Sequence, residues 1–359
     1  MIMQKYEIAG LIDRIKGIVP KNCVFPALEG ILVRDGILVG TNMELTIQAR
    51  SDACLGESFI IPARAFDMIK NLPEGEVEIR AEADYRIRIK AGRATSRCQS
   101  HNPDDFSYYR PDDETGFEAV LPGSRLEEAF QHVIYAASDK DERPMCTGVY
   151  LDSEEGALNI VALDGHVMAW DRIEAECGAG MKVLIPKNAV KKLLSLWNGG
   201  DISVSYNRFS AAFTMDSFTV YTRLLDSKYM DYRRYFSDTP GVVTVYKKQL
   251  LESLNRAKLC IDNAQNDRRP AVLHFSGDTL DISLMGNFSD YHETIDLASV
   301  VNGELRIGLN PNLLAETAKA FAGDTVKMQF SGPKDPVYVT GEGETLKTLI
   351  LPVTIGAAG

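Results

Sequence analysis

The sequence predicts an α+β protein made of three tandem copies of one domain, each with two helices and, on the hairpin count, roughly eight antiparallel strands. Three observations carry that prediction. The strings "IPARAFDMIKNLP" from Ile61, "IPKNAVKKLLSLW" from Ile185 and "LNPNLLAETAKAF" from Leu309 start 124 residues apart each time. A second helical string keeps the same period, with Leu126 answered by Leu250. Short alternating segments bounded by Gly, Asp, Asn and Pro fill the rest, and these are the marks of antiparallel hairpins. A repeat this long is a whole domain, because solenoid units run at about 20–50 residues.

The elements follow in order. Ile8, Leu11, Ile12 and Ile15 share one helical face, the N-terminal counterpart of the second string. "EGILVRDGILVGT" and "VEIRAEADYRIRIKAG" alternate as strands. In "PGSRLEEAFQHVIYAAS", Leu126, Ala129, Phe130, Val133 and Ile134 line a helix face, and Ser124 with Glu127 has the form of a capping box. The proline of each "IP" or "NP" pair suits a first helical turn, where its missing N–H costs nothing. Asn310 is placed to cap the helix ahead of Pro311. "DISVSYNRFSAAFTM", "SFTVYTRLL", "TVKMQF" and "VYVTG" are strands again. One face of each sheet should lie under helices and the other should meet solvent. The acidic loop before Phe117 and the "SDTPGVV" stretch at 237–243 mark domains at 1–116, 117–239 and 240–359.

Composition narrows the function. Apolar residues make up 45% and charged residues 25%, as in ordinary globular proteins, and no run of eighteen apolar residues offers a membrane span. Charges interrupt the first twenty residues, so no export signal is read and a cytoplasmic home is expected. The six scattered cysteines form no C-x-x-C pair, which favours free buried thiols over a zinc or redox site. The five histidines show no ligand spacing, so no metal and no cofactor are expected. A net charge of −11 opposes an ordinary nucleic-acid binder, although basic residues gathered on one face still make a local positive lining.

With the three-fold repeat in place, "FPALEGILV" (25–33), "TGVYLD" (147–152), "ALDGHVMAW" (162–170), "LLDSKYMDYRRYF" (224–236) and "LILPV" (349–353) resemble, in order, the bacterial sliding clamp, the beta subunit of DNA polymerase III. The resemblance implies three DNA-clamp domains per chain, joined head to tail with a second copy into a homodimeric ring around double-stranded DNA. It implies a processivity factor without catalysis that binds the replicative polymerase, a clamp loader and other proteins bearing a clamp-binding motif. The proposed helices carry Lys5, Arg14, Lys16, Arg64, Lys70, Arg125, Lys187, Lys191, Lys192, Lys247, Lys248, Arg256, Lys258 and Lys319, which fits a lining that holds phosphates without reading sequence. Lys21 and the pair Lys140 and Arg143 fall in loops that approach DNA in the family.

The same resemblance implies a groove for short apolar peptides between the second and third domains. Matched position by position, Cys146, Leu163, Gly165, His166, Val167 and Met168 come from the middle repeat. Met230, Arg234 and Tyr235 come from the connector. Asn310, Leu313, Pro336 and the run Leu349, Ile350, Leu351, Pro352 and Val353 come from the third repeat. Three departures from the family pattern bear on preference. Val167 replaces a usual arginine, Met230 replaces a usual proline, and Thr354–Ile355 stand where a tail arginine is usual. Methionine at such positions makes a groove more pliable.

Two rivals stay open. Asp164 and His166 flank Gly165 and could form an acid–base pair, although no third partner or hydrolase motif accompanies them. A protein-binding scaffold that keeps the clamp fold without encircling DNA is the other, and it has no reason to keep helix-face lysines.

Overall fold

In the computed structural model the described residues are 1–109, 117–177, 179–237, 239, 241–261, 269–286 and 289–355. The acidic loop and parts of the 237–243 stretch, where two domain boundaries are expected, lie outside them. The chain divides into two compact units, 1–124 with 188–224, and 125–187 with 225–359.

The first unit holds two antiparallel sheets. One orders Ile2–Gln4, Glu76–Glu82, Arg86–Ala91 and Ala94–Gln99. The other has eight strands, running from Ser58–Pro62 at one edge to Phe117–Leu121 at the other. Alternation is clean in the smaller sheet: Val77, Ile79, Ile87 and Ile89 are buried while Glu76, Arg80, Arg86 and Lys90 face solvent. The stripe Ile8, Ile12 and Ile15 of the helix Lys5–Ile15 is buried. Glu7 starts that helix by accepting from the Gln4 N–H at 3.1 Å.

The second unit is built on one ten-stranded antiparallel sheet. Its order is Lys182–Pro186, Gly148–Glu154, Ala157–Leu163, Val167–Glu174, Lys347–Ile350, Val337–Thr340, Thr325–Phe330, Gly241–Tyr246, Asp290–Leu309 and Ala271–Met285. The middle of this sheet departs from the half-solvated expectation, since all seven residues of Ala157–Leu163 are buried. The cause is the connector at 225–236. Tyr229 stacks on Tyr150 with ring centroids 4.2 Å apart, and Tyr232 meets Trp170 edge-on at 5.1 Å.

Helix starts keep the 124-residue period: Gly123 and Lys247 open one pair, Lys187 and Pro311 another. Details differ from expectation. Pro62 and Pro186 each end a strand just ahead of the helical segment, and only Pro311 occupies a first turn. The first copy shrinks to a 3-10 turn, Ala63–Ala65, and the helix Phe66–Lys70. Asn310 does cap, its side chain accepting from the N–H groups of Asn312 and Leu313. The Ser124 capping box fails: the helix begins at Gly123, so Ser124 lies inside it, and the Gly123 N–H goes to Asp201 at 3.3 Å.

All six cysteines are free, but only Cys54, Cys146 and Cys177 are buried. Among the described residues no helix is long and apolar enough to cross a membrane.

Candidate peptide-binding groove

Register builds the groove floor. Leu163 stands opposite Met168, Met168 opposite Leu349, and Leu349 opposite Tyr338, on four neighbouring strands. Directly opposed residues share a face of the sheet, so these four side chains form one apolar row. Beneath and beside it Cys146, Val161 and Tyr232 close a buried cluster, with Met145, Tyr150, Trp170, Tyr229, Met230 and Phe236 packed against it.

The row opens into a cavity of about 300 Å³. The turn brings Gly165, His166 and Val167 to its rim, the connector brings Met230, Arg234 and Tyr235, and the third repeat brings Pro336, Tyr338, Leu349 and Leu351. Eleven of the twelve lining residues fall where the resemblance had put a groove: Leu163, Gly165, His166, Val167, Met168, Met230, Arg234, Tyr235, Pro336, Leu349 and Leu351. Tyr338 was missed. Its signal was in the alternation of "VYVTG", which sets it on the opposite face from Val337 and Val339.

Other expected residues sit elsewhere. Cys146 is fully buried under the floor, and burial pushes its thiol up. Ile350 is also fully buried and stands opposite Val167. Asn310 is occupied with its helix cap, and Leu313 follows it on that helix. Pro352 and Val353 line a separate hollow with Pro333, Lys334, Thr354 and Ile355.

The chain turns between Leu163 and Met168 in a tight two-residue hairpin loop. Gly165 and His166 are its two central residues, and Asp164 closes it by donating its N–H to the Val167 carbonyl at 3.1 Å. The Asp164 carboxylate accepts from the N–H groups of His166 and Val167 at 2.7 and 2.9 Å, so its Oδ1 serves the backbone. Gly165 has φ +91°, and a Cβ there would lie 2.8 Å from the Arg143 guanidinium. Arg143, expected at DNA, thus packs on this rim. It forks onto Asp141 at 3.0 and 2.9 Å and donates to the Asp164 carbonyl at 3.2 Å. The hydrogen bonds from Arg143 hold the Asp141 carboxyl down at about 2. Arg234 likewise pairs with Asp231 at 2.7 Å, with its side chain 82% exposed and free to exchange partners.

The other basic residues are mostly matched locally. Lys16 and Lys70 share Asp13, Lys5 meets Glu74, Arg125 meets Glu128 and Lys319 meets Glu316. Lys187 is largely buried against the Ala137 carbonyl and Asp139. Arg256 takes both oxygens of Glu293 at 2.7 Å. Burial pushes the Lys192 and Lys258 ammonium groups down. Lys21, Lys140, Lys191 and Lys248 are exposed.

Sequence reading missed a polar cluster in the second unit. His132, Asp171 and Thr345, remote in sequence, meet there: Nδ1 of His132 lies 2.7 Å from Oδ2 of Asp171, and the Thr345 hydroxyl donates to Oδ1 at 2.6 Å.

Comparison with known proteins follows the same lines. The sequence pattern of the DNA polymerase III beta subunit central domain matches residues 120–231, and that of its C-terminal domain matches 237–354, together well over half of the chain. Similar curated proteins are the beta sliding clamps of Chlamydia pneumoniae, 24% identical over 99% of this chain and 98% of that one, and of Staphylococcus aureus, 25% identical over 98% of both. Among solved structures, a putative DNA polymerase III beta subunit from Eubacterium rectale superposes with a TM-score of 0.90 at 24% identity, over 99% of each chain. The DNA polymerase sliding clamp from Bacillus subtilis gives 0.90 at 21%, again over 99% of each.

Proposed function

We propose a sliding tether as the function of this chain, which belongs to the bacterial sliding clamp family, the beta subunit of DNA polymerase III. Two copies close head to tail around duplex DNA, each contributing three repeats divided as 1–116, 117–239 and 240–359. The chain performs no covalent step. Its work is topological: a closed ring slides along the duplex and keeps whatever is docked on it at the template.

The groove is where a replicative polymerase, a loader or another motif-bearing protein docks. The observation that carries this reading is the row Leu163–Met168–Leu349–Tyr338, with Met230 and Tyr235 over it, in a chain matched end to end by sliding clamps. A cavity of about 300 Å³ takes two large apolar side chains. Burying each supplies roughly 1.5–3 kcal/mol before ordering costs, enough for a reversible contact and too little for a permanent one. Arg143 acts here as a brace of the rim turn, while Arg234 and His166 offer the polar contacts that set peptide register.

DNA contact in this reading is loose and independent of sequence, through exposed cations such as Lys21, Lys140, Lys191 and Lys248. The local matching of Lys5, Lys16, Lys70, Arg125, Arg256 and Lys319 by carboxylates supports a second reading, a clamp-fold scaffold that docks proteins without encircling DNA. One experiment separates the two. The chain is incubated with the matching loader, ATP and nicked circular DNA, and the DNA is then linearised. A ring loads on the circle and slides off the cut ends. Failure to load, or retention after linearisation, overturns the tether.

A further inference from the structure

The groove's central strand pair has a second, polar anchor at its other end. Val167–Glu174 and Lys347–Ile350 pair over four residues, from Val167 opposite Ile350 to Trp170 opposite Lys347. The groove uses the Met168–Leu349 end. Beyond Trp170 the first strand carries Asp171, only 2% exposed. Its carboxylate faces Nδ1 of His132 on the helix Gly123–Val133 at 2.7 Å and accepts from the Thr345 hydroxyl at 2.6 Å and from the Arg172 N–H at 2.8 Å. Burial pushes this carboxyl up, and the bonds from His132 and Thr345 outweigh it, leaving the group below its usual value. Thr345 itself lies only two residues before the strand Lys347–Ile350.

On its other edge Lys347–Ile350 pairs over four residues with Val337–Thr340, so its register rests on two short ladders and on its buried side chains, and Thr345 adds a polar tie just before it. A slip of one residue would turn Leu349 to the opposite face and take it out of the apolar row. Such a slip also moves Thr345 by about 3.3 Å along the strand direction, which breaks its bond to Asp171. A buried carboxylate robbed of a donor is costly, so the bond penalises the slip far more than an exposed one would. Nearby, Tyr135, just past the same helix, reaches the Thr317 hydroxyl of the helix Pro311–Lys319 at 3.0 Å, a further polar tie between the middle and third repeats.

We propose that Asp171, with His132 and Thr345, positions the groove: it holds the Lys347–Ile350 strand in the register that presents Leu349 to a docked peptide, without touching that peptide. The inference rests on the groove reading and deepens it. The test uses the full-length chain and a fluorescein-labelled hexapeptide ending in Leu-Phe, followed by fluorescence anisotropy and thermal melting. Thr345→Val removes the hydroxyl at an exposed position and keeps the shape; Thr345→Ser restores the hydroxyl. Thr345→Val should weaken binding about ten-fold and lower the melting temperature, because the buried Asp171 carboxylate loses a donor, and Thr345→Ser should restore both, binding within about two-fold of the parent. Asp171→Asn should lose affinity at least as far. Wild-type affinity in Thr345→Val, or equal losses in Val and Ser variants, overturns the positioning role. Leu349→Ala is the control inside the groove. If it leaves binding intact, the groove reading itself fails; if it weakens binding while Thr345→Val does not, only the positioning role falls.

Discussion

Met168 and Leu349 stand directly opposite each other on adjacent antiparallel strands, although 181 positions separate them in the chain. Leu163 extends the row on one side and Tyr338 on the other, so the groove floor is a property of strand register. Truncating Leu349 to Ala should therefore remove a central anchor and cost about ten-fold or more in affinity for an apolar peptide. Anisotropy with the labelled hexapeptide measures this. An unchanged affinity would place docking elsewhere.

Val167 tests specificity at the same rim. It is 2% exposed and replaces an arginine usual in the family pattern. Val167→Arg places a guanidinium at a buried position, which lowers the melting temperature, and the added cation beside His166 and Gly165 favours acidic peptides over purely apolar ones. Paired peptides differing by one aspartate should reverse their order of affinity, and loading on nicked circles should be unchanged. Lost loading with unaltered peptide preference would contradict the placement of this turn.

Much of this was legible in the sequence because it is periodic. The 124-residue recurrence, the apolar stripe of Leu126, Ala129, Phe130 and Val133, and the cap at Asn310 are local signals, and local signals survive in one dimension. Most groove residues were found through resemblance, since nothing local in "LILPV" says that Leu349 opposes Met168. Tyr338 and the His132–Asp171–Thr345 cluster were missed for one reason. Each acquires its role only when elements distant in sequence meet, and a lone histidine on a helix has no pattern to betray its partner. Ser124 shows the converse: a good capping pattern lost because the helix starts two residues early.

The basic residues should separate by salt dependence. Lys248 is exposed and forms no ion pair among the described residues, whereas Arg256 is already bound by Glu293. If the ring lining is electrostatic, Lys248→Ala should reduce the slope of log affinity against log salt by about one unit. Arg256→Ala should change it less, because that guanidinium must first give up its carboxylate. Duplex binding measured at several salt concentrations reads both slopes. Equal reductions would mean that the Glu293 pairing does not survive DNA contact.

Glu293 also predicts how the chain responds to acid. The fork from Arg256, and then the bond from the Tyr291 hydroxyl, lower its carboxyl from 4.5 to about 2. A depressed folded-state value means that the folded form holds the charge more firmly than the unfolded form does. The stabilisation is therefore complete above pH 4.5 and is lost progressively as pH falls toward about 2. Both side chains are partly exposed, so solvent screening keeps the effect modest. Glu293→Gln removes it, and the difference in melting temperature between parent and variant isolates this group from the other carboxylates. That difference should favour the parent at neutral pH, persist down to pH 4.5 and close as pH approaches 2. A gap that stays constant across this range would show that the Arg256–Glu293 fork contributes nothing to stability in solution.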